Sequence, residues 1–185
     1  MKPLNLILIA ALVLGTLPQA LADGVEFRRV ALTLSEDGWI LLDADVGFEL
    51  NATVLEALEN GVPLTFETHV EMRRASAWVW EADEVEHRLR TVLRYRPLSG
   101  MYELRALHGK DRVSFATRDA AMRTLGNVVA MPIVKRDRLD LEQDYVVRLK
   151  VSLDIESLPL PMRPMAYLKR DWSLSSETWE WRMRP

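Results

Sequence analysis

The chain contains no cysteine. That absence excludes disulfides, thiolate metal sites and thiol nucleophiles, and with them anchoring through a lipidated cysteine. Histidine is nearly as scarce, with three in 185 residues. No Gly-x-Ser-x-Gly, phosphate-cradling glycine loop or His-Glu-x-x-His is present. Beyond the first 22 residues no run is apolar enough to span a bilayer. Neither sign of charge dominates: 24 Lys and Arg stand against 27 Asp and Glu, a net charge of −3, which gives no general support for nucleic-acid binding. Eight glycines and nine prolines are too few for a collagen-like or low-complexity chain, and 49% hydrophobic with 28% charged residues is a globular composition.

What is present begins with an export signal. Met1-Lys2-Pro3 is followed by an apolar run, Leu4 to Gly15, broken only by Asn5, and the segment ends Ala20-Leu21-Ala22. These are the charged, hydrophobic and A-x-A parts of a secretory signal peptide; a spanning helix needs roughly 20 apolar residues, more than this run supplies. The expectation is cleavage after Ala22, a periplasmic location and one β-rich domain over residues 23–185, with no integral membrane span left. Lys2 is the only charged residue in the signal, so 23 basic and 27 acidic residues remain, about −4 overall. An exported domain without disulfides must be held by its own core.

Period-2 alternation dominates the remaining chain and predicts strands. They are read at Val25 to Leu34, Trp39 to Leu50, Val62 to Arg74, Val85 to Arg96, Met101 to His108, Arg112 to Ala116, Tyr145 to Ile155 and Glu177 to Met183. Trp78 and Trp80 sit in a short strand or hairpin arm. Two stretches switch period and predict short helices. Asn51 (or Thr53 with Glu56) caps the first and Gly61 ends it; Thr117 caps the second, Arg118 to Leu125. Pairing across Pro97-Leu98-Ser99-Gly100 sets Leu93 against Leu104, Tyr95 against Tyr102 and Arg94 against Glu103. Residues 126–139 resist assignment, because Pro132 argues against a central strand. Short links predict a mainly β fold: an antiparallel β-sandwich of about eight strands with two short helices.

The stretch Leu153-Asp154-Ile155-Glu156-Ser157-Leu158-Pro159-Leu160-Pro161-Met162-Arg163-Pro164, then Asp171-Trp172-Ser173-Leu174-Ser175-Ser176 and Trp179-Glu180-Trp181, resembles an uncharacterised family of short exported proteobacterial proteins, a domain of unknown function. Leu55 to Leu64 carries a weaker part of the same likeness. The resemblance spans the mature chain and implies a periplasmic setting, with no activity or site residues to carry over. Members of that family are often encoded beside a membrane sensor histidine kinase and an RNA methyltransferase, which implies an envelope-signalling link. Glu177 and Thr178 lengthen the gap before the final tryptophan pair.

Several constellations could carry chemistry. Glu67, His69 and Glu71 share one strand face, about 7 Å apart along the strand; the plainer reading is a solvated polar face, because a metal needs several converging ligands. His87 shares the face of Val85, Leu89 and Leu93 and reads as a satisfied, partly buried histidine, while His108 sits at a turn. Asp43 and Asp45 share a face as a glycosidase pair would, but Arg28 can oppose Asp45 across the first hairpin. No catalytic residue, metal site or cofactor is assigned. The binding candidates are two tryptophan pairs, Trp78 with Trp80 and Trp179 with Trp181, and an arginine stripe, Arg88, Arg90, Arg94 and Arg96. The pairs form core or, exposed, a stacking platform. The stripe pairs with neighbouring strands or docks an acidic partner or lipid headgroup. The leading expectation is a non-catalytic periplasmic interaction module with an envelope protein as partner, offering open strand edges. A small-ligand or glycan binder using the tryptophans is the alternative, and a hydrolase with dispersed residues ranks third. A flat apolar patch beside an open edge favours the first reading; converging polar groups in a pocket favour the third.

Overall fold

A computed structural model describes residues 24–78, 84–107, 109 and 111–185. The expected signal segment, Trp80 and His108 lie outside the described residues. Among the described residues the fold is mainly β, with nine strands in two antiparallel sheets and three short helices. The first sheet pairs β1 (Val25–Leu34), β2 (Trp39–Phe48) and β7 (Asn127–Lys135) in the order β1-β2-β7. The second holds β3 (Leu64–Arg74), β4 (Val85–Arg96), β5 (Met101–Ala106), β6 (Arg112–Phe115), β8 (Tyr145–Leu153) and β9 (Trp179–Met183), in the order β6-β5-β4-β3-β8-β9.

Alternation decides what is buried. Ile40, Leu42, Ala44 and Val46 of β2 face Leu64, Phe66, Val70 and Met72 of β3 and the unbroken row Tyr145, Val147, Leu149, Val151 and Leu153 of β8 in one core. Phe48 meets Phe66 edge-on at 5.0 Å, joining the sheets. His87 adds a polar rivet: its Nε2 donates to the Ile133 carbonyl at 2.8 Å, so β4 holds β7. The hairpin of β4 and β5 has the expected register, Leu93 against Leu104 and Tyr95 against Tyr102.

Helix α1 (Ala52–Glu59) is capped by Asn51, which accepts from the Val54 amide, rather than by Thr53 with Glu56. It ends at Gly61, whose φ of +80° suits glycine. Helix α2 (Arg118–Gly126) is capped by Thr117 and packs Ala121, Met122 and Leu125 between β2 and the β5–β6 end of the larger sheet. Gly126 is buried, and a Cβ there would run into the Val46 carbonyl; only glycine allows α2 to lie this close to β2.

Three expectations need correction. The ninth strand, β7, is the stretch that resisted assignment. Pro132 is tolerated because β7 is an edge strand, and two register shifts, one of them at Ala130 with φ 47°, break its alternation. The third helix, α3 (Arg163–Leu168), was missed because prolines crowd the segment; Pro164 falls in its first turn, where its absent N–H costs nothing. In the first hairpin Arg29, not Arg28, opposes Asp45, because a register shift at Phe27–Arg29 displaces Arg28.

Candidate functional site

Among the described residues no strand layer covers the outer face of the larger sheet, and it is mostly polar, with Val92 and Val146 among its apolar exceptions. In its middle, opposite charges answer one another. Arg90 Nε lies 2.6 Å from Glu67 Oε2 and 3.7 Å from Asp154 Oδ2. Arg88 forks onto Glu86 Oε1, with Nη2 at 2.6 Å and Nε at 2.8 Å, and reaches Glu67 at 3.4 Å. His69 Nε2 lies 2.9 Å from that same Glu86 oxygen and 3.3 Å from Glu71 Oε1. Arg88, then His69, lowers the Glu86 carboxyl below its ordinary value, and Arg88 and Arg90 are held more firmly protonated, first by Glu86 and Glu67 respectively. His69, Glu71 and Glu86 are the group whose ligand atoms converge among the described residues. The Glu86 oxygen nearest His69 already takes both Arg88 donors. The guanidinium therefore sits where an incoming cation would be repelled, and the cluster is built as an ion-pair network.

Toward β5 and β6 the balance fails. Arg94 stands opposite Glu103 in register, as expected, but the ion pair goes elsewhere: Glu103 takes Arg96 at 2.8 Å and Arg112 at 3.6 Å. Arg105 lies directly opposite Arg112. Among the described residues neither Arg94 nor Arg105 has an acidic partner. The four guanidinium groups surround a concavity of about 200 Å³ on a floor of Val92 and Pro63, with Glu103 as its single acid. The arginine stripe is thus divided: Arg88 and Arg90 are neutralised, whereas Arg94 and Arg96 join Arg105 and Arg112 from other strands.

The inner face shows a second feature. Six strands are wider than three, so the larger sheet overhangs the smaller at both ends. The β9 end carries Trp179, Trp181 and Met183, in register with Leu149, Val147 and Tyr145 and therefore facing inward. Trp179 packs against the core, but Trp181 lies beyond the cover of β1 and is 53% exposed, stacked on Trp179 with ring planes 9° apart and centroids 5.9 Å apart. Between these residues and Leu32, Thr33 and Leu34 of β1 runs a mainly apolar groove of about 320 Å³, rimmed by Arg136 and Arg184. Its two banks, β1 and β9, are the edge strands of their sheets. At the other end of this seam the sheets are stitched: Ser175 bridges both Gly24 and Ser152.

A model of the DUF4390 domain of unknown function matches residues 22–182. The chain belongs to the DUF4390 family. Neither the curated proteins nor the solved structures offer a significant match.

The other expected sites of this DUF4390 domain do not converge. Trp78 lies outside any strand and is 63% exposed; its carbonyl accepts from Arg73 Nη2, and it does not line the groove that Trp181 lines. Asp43 is engaged by the backbone, accepting the Ala130 amide at 3.0 Å, so it serves the left-handed residue of β7. Another concavity, about 440 Å³, lies between β2, α1 and α2, with Arg28, Arg118, Arg123, Asp119 and Glu49 above Phe48, Leu50, Leu55 and Met122. It offers charge and apolar surface but no hydroxyl or imidazole. Sequence reasoning missed Arg105 and Arg112, which join the stripe only through strand pairing, and Leu34, which gains its neighbours across the seam. Arg105, two residues after Glu103 and so on the same face of β5, was the available signal.

Proposed function

We propose that this DUF4390 domain is a non-catalytic interaction module of the bacterial envelope, exported by residues 1–22 and working in the periplasm. Its groove takes an extended, apolar segment of a partner protein carrying acidic flanks. The observation that carries this reading is the groove between the two edge strands β1 and β9. An added strand finds unpaired backbone on either bank, Trp181 and Leu34 supply apolar contact, and Arg136 and Arg184 favour acidic flanks. The implied gene setting makes a protein of the sensor-kinase machinery the first partner to try.

Photo-crosslinkers placed at Leu34 and at Trp181 in cells, with exposed Leu141 as control, test it. The two groove positions should trap the same partner segment and the control should not. That segment, made as a peptide, should shift amide resonances of β1 and β9 in the purified protein, and Trp181→Glu should abolish the shift while lowering the melting temperature by no more than about 4 °C. Adducts only to a second copy of the chain or only to glycan, or peptide shifts confined to other strands, overturn the reading. N-terminal sequencing of the protein from the soluble envelope fraction should begin at Asp23; intact Met1 in the inner membrane refutes export by cleavage.

A further inference from the structure

The arginine basin at the β5–β6 end is far from self-neutralised. Four guanidinium groups share one carboxylate, and Arg105 and Arg112 face each other directly across a strand pair. Like charges so placed destabilise a sheet unless an anion answers them. No partner for Arg94 or Arg105 comes from the described part of the chain. The strands hold these four backbones in fixed register, so the four charges stay on one patch of surface whatever rotamers the side chains take.

We propose that the basin docks on an anionic membrane surface by binding lipid phosphate headgroups. Arginine forks onto phosphate oxygens through two parallel N–H donors, so all four residues match this ligand class. The exposure of the arginines selects a surface over a free ion. The concavity lies on the outer face of a sheet, where one solvent-exposed ion pair contributes only about 0–1 kcal/mol. A single phosphate therefore gains little, whereas an array of headgroups engages several arginines at once. The neighbouring turn points the same way: Leu98, two residues beyond Arg96, is fully exposed at the tip of the β4–β5 hairpin, an apolar side chain placed to enter the headgroup layer beside the arginines.

Co-sedimentation of the exported protein with phosphatidylcholine vesicles, with and without phosphatidylglycerol, tests the proposal. Binding should require phosphatidylglycerol and weaken as salt is raised. Arg94→Gln with Arg105→Gln should lower vesicle affinity about thirtyfold, from about fivefold per arginine near an anionic surface, at a melting temperature equal to or above that of the unaltered protein. Leu98→Ser should weaken binding severalfold without changing its salt dependence. Inorganic phosphate at equal phosphate concentration should neither bind detectably nor release the protein from vesicles. Trp181→Glu should leave vesicle binding intact, so that this surface and the groove fail or stand separately. Equal binding to neutral vesicles overturns the proposal. So does full binding by the double variant, or inorganic phosphate or an acidic peptide occupying the basin as tightly as the vesicles do.

Discussion

The larger sheet overhangs the smaller one at both ends, and the two ends are finished differently. At the β5–β6 end the chain supplies its own cover: α2 lays Ala121, Met122 and Leu125 over the inner face, and Tyr95, Tyr102 and Phe115 pack against it. At the β9 end cover stops at β1, leaving Trp181 half in solvent over an apolar groove. Sheets packed face to face lie about 10 Å apart, so an uncovered overhang exposes apolar side chains by construction. The same surplus is thus closed by a helix on one side and left open on the other, so the chain itself fills the inner face of the first end, and the inner face of the second is the place the proposed partner would take.

The largest expected effect abolishes the comparison by removing the shared core. Leu149 is fully buried next to Trp179, and Leu149→Asp places an unpaired charge there. A loss of more than about 4 kcal/mol is expected, read as failure to fold or a collapsed denaturant midpoint. An unchanged midpoint would show that this face is exposed. The closed end is broken next by Gly126→Ala, whose added methyl meets the Val46 carbonyl. Backbone cannot yield as a side chain can, so a cost of about 3 kcal/mol is expected in urea unfolding. The open end should be far more tolerant: Trp181→Ala forfeits mainly its stack on Trp179, about 1 kcal/mol, while partner binding is lost.

The smallest effect sharpens the contrast through pH. Burial at the covered end raises the Tyr102 phenol above its ordinary value of 10.0. The unfolded chain therefore loses this proton first as pH rises. The stabilisation is complete below pH 10.0 and disappears as pH climbs through the higher folded value. Melting temperature should fall in that alkaline window, and Tyr102→Phe should reduce the fall. An identical alkaline profile in the variant would place the loss elsewhere.

Much of this was legible from one chain. The unbroken alternation from Tyr145 to Leu153 marks a central strand because one side chain in two faces the core, and every such residue is buried. Asn51, Thr117 and Gly61 end their helices as local capping chemistry requires. The reading failed where long-range context overrides local pattern. Edge position explains the tolerance of Pro132, and Asp43 holds the left-handed backbone of β7 through a hydrogen bond spanning 87 residues of sequence. The order of side chains along β4 likewise identified a stripe of arginines but not which of them would be neutralised.

Sequence alone therefore determined strand periodicity, helix caps, the hairpin register of β4 and β5 and the family, because each depends on neighbouring residues or on a pattern carried along the chain. Only the tertiary structure decided the sites. Glu67 and Asp154 meet Arg88 and Arg90 through strand pairing and the turn after β8, Arg105 and Arg112 reach Arg94 through β5 and β6, and Leu34 meets Trp181 across two sheets. Electrostatic balance and burial are sums over spatial neighbours, and those neighbours are chosen by strand order and by the unequal widths of the two sheets.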